Sequence, residues 1–368
     1  MADKNIQPSI STWTKGFMVV VFIMLSGSGC QKISTIQPTE KESAVEPLPT
    51  ATQVINQSKR ALLSADALTN GFEYDGPVNE SALTLPENAA PPVHIFEGRL
   101  ELLGEKDSGQ MQVLRGELGP EYSYLPEFDF EFVQDNGYLI PVQRGNIIAD
   151  HPVWNIILEP GRVWQEDGDN GFSRASLPFA LTVKGGNATF NGTLTFLFED
   201  QHVSKVWYQI TQETTSYSRA NLWGLLDAGY HPGAVTGSKK IRADFASELA
   251  ARMPVKPIEA LTDDYPGVDV SAFGRGVTRE HMTWYGVVVN GVNYIGGCQT
   301  RFGLYSYCES MRATSYSTAK SAFVSVALMR LAQKYEADVA NLLIKDYVPE
   351  YADSSGDWEQ VTFNNALD

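Results

Sequence analysis

Residues 193–210 read Thr-Leu-Thr-Phe-Leu-Phe-Glu-Asp-Gln-His-Val-Ser-Lys-Val-Trp-Tyr-Gln-Ile. The first six residues are mostly strand formers, since β-branched and aromatic side chains pack well on a pleated surface. Residues 203–210 alternate apolar and polar side chains, as a strand with one buried face does. This stretch therefore predicts β-strands and places the middle of the chain in a β-rich fold.

Similar patterns lie on both sides of this stretch. Gly185-Gly186-Asn187 and Asn191-Gly192 have the composition of turns. A helix is predicted over residues 243–252, and it is expected to end before Pro254. We therefore predict a β-rich domain over residues 61–260, with a sandwich-like or barrel-like architecture. Its further predicted strands are 94–103, 128–133 and 180–183.

Four aromatic residues of this region, Trp154, Trp164, Trp207 and Tyr208, allow two interpretations. Exposed, they would form a platform for sugar rings. Buried, they would fill the core, and core packing is the commoner role of aromatic side chains. We expect the core role.

The charge of the chain excludes one class of function. Asp and Glu number 44 against 28 Lys and Arg, which gives a formal net charge of −16. Nucleic-acid binding needs a basic surface, so it is not expected. The five His residues are scattered, and we expect neither a metal nor a cofactor.

The N-terminus has the pattern of an export signal. Lys15 precedes an apolar run over residues 17–25, and small residues then lead to Cys30. Such a run is too short to span a bilayer. We predict a lipoprotein signal peptide over residues 1–29 and lipidation of Cys30, although Gly27 stands where lipoprotein signals usually have Leu. The alternative is an ordinary cleaved signal with an incidental Cys.

The segment after the signal is predicted to be a disordered tether over residues 30–60. It is rich in Ser, Thr, Pro, Glu and Gln and lacks hydrophobic periodicity. We therefore expect an exported, periplasm-facing lipoprotein held at the outer membrane by its lipid anchor alone.

Export also bears on the two remaining cysteines, Cys298 and Cys308. In an oxidising compartment this pair would close as a disulfide around a short loop. The alternative is two free buried thiols.

The C-terminal part begins after a predicted linker over residues 253–268. Residues 284–289 and 292–295 predict a hairpin, because Asn290-Gly291 is a strong two-residue turn signal. Residues 317–337 predict a helix that is apolar almost all round and is therefore expected to be buried.

Ser317-Thr-Ala-Lys320 opens this helix. Positions i and i+3 share a helix face, so the Ser317 hydroxyl and the Lys320 amine can approach each other. Serine needs an adjacent base to act as a nucleophile, and a desolvated lysine can be that base. The alternative is structural, with Ser317 as a helix cap and Lys320 as a solvated side chain.

A hairpin, Ser-x-x-Lys and a long helix in this order resemble the penicillin-binding proteins and serine β-lactamases. Residues 342–351 and 358–368 resemble later segments of that family, and Thr362 is the expected cap of a helix. The resemblance implies an α+β transpeptidase-like domain over residues 266–368. It also implies acyl-enzyme chemistry on a peptide, β-lactam or ester, with a small-molecule or peptidoglycan-type substrate.

The family pattern continues with a Tyr-x-Asn or Ser-x-Asn element and a Lys-Thr-Gly-like strand, and neither follows Lys320 here. The multidomain chain is therefore expected to carry an incomplete hydrolase domain that is inactive in this form. The alternative function is that of an envelope binding or scaffolding lipoprotein that acts through its β-rich domain.

Overall fold

A computed structural model of the chain describes residues 63–71, 75–103, 109–215, 217–277, 282–348, 350 and 356–367. The predicted signal peptide, the tether and Cys30 lie outside these residues. In this part of the chain, no helix has both the length and the apolar character needed to cross a membrane.

The largest feature is a curled antiparallel sheet of 12 strands, which forms a half-barrel. The strands in chain order are β1 (Glu97–Leu102), β2 (Gly109–Arg115), β3 (Phe128–Asp135), β4 (Tyr138–Pro141), β5 (Gly145–Ile147), β6 (Trp154–Leu158), β7 (Gly161–Trp164), β8 (Ser173–Val183), β9 (Thr189–Phe198), β10 (Val206–Thr214), β11 (Arg219–Leu226) and β12 (Ala228–Pro232). They are arranged β12-β1-β3-β4-β7-β8-β9-β10-β11-β2, and β6 joins β5 to β8. The β-rich prediction is therefore confirmed.

The curl brings side chains of distant strands into one apolar core. Phe96, Phe128, Trp154, Phe196 and Tyr208 all belong to it, and each is 0 % exposed. Aromatic rings in this core pack edge to face, as Phe96 and Phe198 do at 5.4 Å between ring centres. The core role predicted for the aromatic residues is confirmed, since Trp164 and Trp207 are also buried.

The central strands are buried on both faces. Every residue of β9 is buried, and β8 and β10 are buried over most of their length. On the second face, helix α1 (Ala65–Asn70) and the residues before it contribute Leu63 and Leu68, which pack with Trp207. Residues 193–198 are mostly apolar because both faces of β9 are buried in this way.

Two local predictions need correction. Gly185 does lie in the turn between β8 and β9, with φ 66°, but Asn191 and Gly192 lie inside β9 rather than in a turn. The predicted helix is longer than expected, because α2 spans Ser238–Ala251 and begins after Gly237, whose φ is 76°.

A second, three-stranded sheet follows α2. Strands β14 (Trp284–Val289) and β15 (Val292–Gly297) form the predicted hairpin, with Asn290 and Gly291 at positive φ in its turn. Strand β13 (Val255–Pro257) pairs with β15 in parallel. The expected linker at 253–268 is therefore partly structured, and helix α3 (Ala260–Asp264) follows in it.

The remaining chain is built from short elements. A two-stranded ribbon lies inside the Cys298–Cys308 loop and precedes the helical stretch that begins near Ser317. These elements are β16 (Gln299–Thr300), β17 (Gly303–Leu304), a π-helical turn at Lys320–Val324, α4 (Ser325–Tyr335) and α5 (Phe363–Leu367).

Candidate functional site

Ser317 lies in the first turn of the helical stretch that leads into α4. The preceding residue, Tyr316, has φ 47°, in the left-handed region that a bulky side chain rarely adopts. The backbone N–H of Lys320 donates to the carbonyl of Ser317 at 3.0 Å, which closes the turn between the two residues. Sharp, strained turns of this kind occur at reactive side chains.

Lys320 begins the π-helical turn Lys320–Val324. The turn ends where the Ser325 hydroxyl donates to the carbonyl of Lys320 at 3.0 Å. Single π-turns inside helices are rare overall. Those that occur are frequently at functional sites, because they change the direction of the neighbouring side chains. An unusual backbone conformation therefore lies directly before Ser317, at Tyr316, and another begins at Lys320.

The helix after Ser317 is exposed, which corrects the prediction that it is buried. Phe323 is 72 % exposed and Met329 is 62 % exposed, and α4 has no buried residue. The pattern of the sequence is that of a buried helix, since apolar side chains surround it. In the described part of the chain, nothing covers these side chains.

Both motif residues are exposed, as the helix is. Among the described residues, no hydrogen bond or ion pair joins the side chain of Ser317 or Lys320 to another side chain. Both side chains are therefore open to solvent in this arrangement.

The chain just before Ser317 is fastened to the curled sheet. Asn191 of β9 accepts a hydrogen bond from the backbone N–H of Arg312 at 2.7 Å and donates to the Arg312 carbonyl at 2.8 Å. The guanidinium of Arg312 pairs with the buried carboxylate of Glu159. Thr314 shares a hydroxyl hydrogen bond of 3.1 Å with Thr189. Asn191, which the sequence placed in a turn, therefore helps to position the Ser317 turn.

The loop closed by Cys298 and Cys308 is fastened to the same sheet. The structure joins the two cysteines in a disulfide, with their Cα atoms 5.6 Å apart. Tyr305 and Tyr307 are buried against the sheet, where their hydroxyls donate to Gly192 O at 2.8 Å and Ser176 O at 2.6 Å. Nothing in the sequence pattern distinguishes these two tyrosines from surface residues of a short loop.

Glu80 is a buried acid that the sequence did not single out. One of its carboxylate oxygens accepts hydrogen bonds from Gln209 at 2.8 Å and Thr211 at 2.9 Å, while the other is buried without a hydrogen-bond partner. Burial raises the pKa of Glu80 to about 7. Its backbone N–H donates to Phe302 O at 2.9 Å, so Glu80 lies between the sheet and the disulfide loop.

The sequence-predicted residues therefore divide into two groups. Ser317 and Lys320 share one exposed turn, and Cys298 and Cys308 form the base of a loop on the sheet. Within the described ranges, no group of three or more His, Cys, Asp or Glu residues could hold a metal ion.

Comparison with known proteins found no relative. No family model matches the chain, and neither a curated protein nor a solved structure is significantly similar to it.

Proposed function

We propose that the chain is an acyl-transferring serine hydrolase of the cell envelope, related to the β-lactamases, with Ser317 as nucleophile and Lys320 as its base. One observation carries the proposal. The strained residue Tyr316 places Ser317 at the start of a helix, and Lys320 follows one turn later in a π-turn. A peptide, β-lactam or ester carbonyl is the substrate group.

In the proposed reaction, Ser317 Oγ attacks the carbonyl carbon and its proton passes to Lys320 Nζ. The carbonyl oxygen becomes an oxyanion, which the positive end of the helix and the Ser317 backbone N–H stabilise. When the carbon–nitrogen or carbon–oxygen bond breaks, Lys320 returns the proton to the leaving group. Water then attacks the acyl-Ser317 ester and regenerates the hydroxyl.

Slow turnover follows from the exposure of the site. Lys320 is exposed, and among the described residues no side chain that could serve as an oxyanion donor is hydrogen-bonded to Ser317. The loss of one such donor lowers the rate by a factor of about 10²–10³. We therefore expect acylation to be detectable with reactive acyl probes and hydrolysis of ordinary substrates to be very slow.

The test is covalent labelling of the purified chain with a fluorophosphonate and with a fluorescent penicillin, read by intact mass and by peptide mapping. The adduct is expected on the peptide that contains Ser317, and Ser317→Ala should remove it. Ser321→Ala is the matched control, because Ser321 is an exposed serine of the same helical stretch. Lys320→Ala should slow labelling, whereas Lys334→Ala should not.

Two results would overturn the assignment. Labelling that survives Ser317→Ala would exclude Ser317 as the nucleophile. Labelling that falls equally in Ser317→Ala and Ser321→Ala would show a general effect on the helix rather than acyl chemistry at one hydroxyl.

A further inference from the structure

A cleft lies beside the disulfide loop, between this loop, the curled sheet and α2. Strands β4 and β7 form one wall, α2 and the residue after it form the second, and the disulfide loop closes the third. Its volume is about 220 Å³, enough for a small organic group. Tyr138, Arg162, Phe245 and Tyr307 lie along its walls.

Arg162 gives the cleft its chemical character. Its guanidinium lies 4.3 Å from the centre of the Tyr138 ring and donates to the Tyr138 hydroxyl at 3.1 Å. Its Nε is buried without an acceptor and is closed to solvent, so a ligand in the cleft can reach only the terminal nitrogens. Among the described residues, no carboxylate forms an ion pair with this guanidinium. A half-buried guanidinium without a counter-ion is costly, and an anion that enters the cleft would remove this cost.

The other walls limit what this anion can be. The rings of Tyr138 and Phe245 meet edge to face at 5.1 Å and offer apolar surface beside the guanidinium. A second guanidinium, that of Arg252, lines the cleft but is paired with Glu248 at 2.6 Å. Glu309 also lines the cleft. Its negative charge opposes a doubly charged phosphate more strongly than a singly charged carboxylate.

We infer that this cleft binds a ligand with one carboxylate next to an apolar or aromatic group, with Arg162 as the carboxylate-binding residue. The planar fork of a guanidinium matches the two oxygens of a carboxylate. The aromatic wall takes the apolar group, as in other small-ligand sites. The inference is independent of Ser317 and of the proposed hydrolase chemistry.

A carboxylate of this kind has two sources, a free small acid and the C-terminus of a peptide. The probes are therefore 3-phenylpropanoate and its amide, and N-acetyl-Ala-Phe with a free or an amidated C-terminus. Binding is measured by calorimetry on the whole purified chain, with inorganic phosphate as a further probe. Each acid is expected to bind at least about tenfold more tightly than its amide, since a charge-assisted hydrogen bond contributes about one decade or more.

Arg162→Gln should weaken acid binding at least about tenfold. Arg162→Lys, which keeps the charge but loses the fork, should fall between this variant and the unaltered chain. Arg99→Gln is the matched control, because Arg99 is a half-buried arginine of the same sheet that pairs with Asp129. Circular dichroism of each variant shows whether the sheet is intact.

Tighter binding by the peptide acid than by phenylpropanoate would identify a chain terminus as the ligand, and the reverse would identify a small acid. Equal binding of acid and amide would overturn the inference. So would tighter binding of phosphate, or unaltered acid binding in a folded Arg162→Gln variant. Labelling at Ser317 is a separate measurement, so failure here leaves the hydrolase proposal standing.

Discussion

Glu80 is a single residue whose environment makes a measurable prediction. Burial raises the pKa of its carboxyl to about 7, from the ordinary value of 4.5. The folded state therefore binds the proton more tightly than the unfolded state does. The stabilisation by the protonated carboxyl is fully present below pH 4.5 and is lost as the pH rises to about 7. The free energy of unfolding should fall by about 3 kcal/mol over this range.

Glu80→Gln should remove this pH dependence, because the amide is neutral throughout. Urea unfolding of the variant and the unaltered chain from pH 5 to pH 8 measures it. The two curves should separate as the pH rises, with the variant the more stable near pH 8. The exposed Glu127→Gln is the control. Parallel curves for Glu80→Gln and the unaltered chain would rule out a protonated Glu80.

Gly192 shows why one glycine stands in the middle of a buried strand. A Cβ atom at this position would lie 2.6 Å from the Phe179 ring and 2.7 Å from Gln209 O. Gly192→Ala should therefore destabilise the sheet by about 1–3 kcal/mol, as other overpacking substitutions do. In Gly168→Ala the new methyl group meets no atom within 4 Å, so this variant should unfold at nearly the same urea concentration as the unaltered chain.

At the scale of elements, the disulfide loop joins the C-terminal part of the chain to the sheet. Cys298→Ser with Cys308→Ser removes the cross-link, and the loss should be about 2–3 kcal/mol for a loop of this length. Urea unfolding with and without a reductant measures it. The reductant should destabilise the unaltered chain and leave the double variant unchanged. A reductant effect of equal size in both would contradict a role for this disulfide.

Elements with a local signal were predictable from the sequence. Alternation and β-branched residues gave the strands around residue 200, and Asn290-Gly291 gave the hairpin turn, because these signals depend on neighbours in the chain. Thr362 is also confirmed as a helix cap, since its hydroxyl accepts from Asn365 N at 3.2 Å. Asn191 was misassigned, because its turn-like side chain is satisfied by Arg312, far away in the sequence.

The candidate site was predictable only in part. The spacing of Ser317 and Lys320 indicated a shared turn, and the structure has one. The hydrogen bonds of Thr314 and Arg312 with the sheet left no sequence signal, because their partners lie in strands more than a hundred residues earlier. Arg162 was also missed, since nothing in the sequence brings β7, α2 and the disulfide loop together.

At the scale of the whole molecule, the two proposed sites are carried by different parts of the chain. Ser317 stands on an exposed helix, whereas Arg162 stands in a cleft between the sheet, α2 and the disulfide loop. The formal charge of −16 repels anions in general, so an anionic ligand would depend on the local guanidinium. Arg162→Gln should therefore leave covalent labelling at Ser317 unaltered, and Ser317→Ala should leave acid binding in the cleft unaltered.

The location of the molecule is the last property to test, and it depends on the N-terminal sequence alone. Lys15, the apolar run 17–25 and the small residues before Cys30 predict a lipid on Cys30. A diacylated cysteine with a third acyl chain holds a protein stably at a membrane, since each buried methylene contributes about 0.8 kcal/mol. If the lipoprotein prediction is correct, Cys30→Ala should move the protein from the membrane fraction to the soluble periplasmic fraction. Cys308→Ala, which leaves Cys30 in place, should stay in the membrane fraction. In the lipoprotein prediction, the lipid on Cys30 is the only attachment to the membrane. Identical fractionation of Cys30→Ala and the unaltered chain would therefore exclude this anchor.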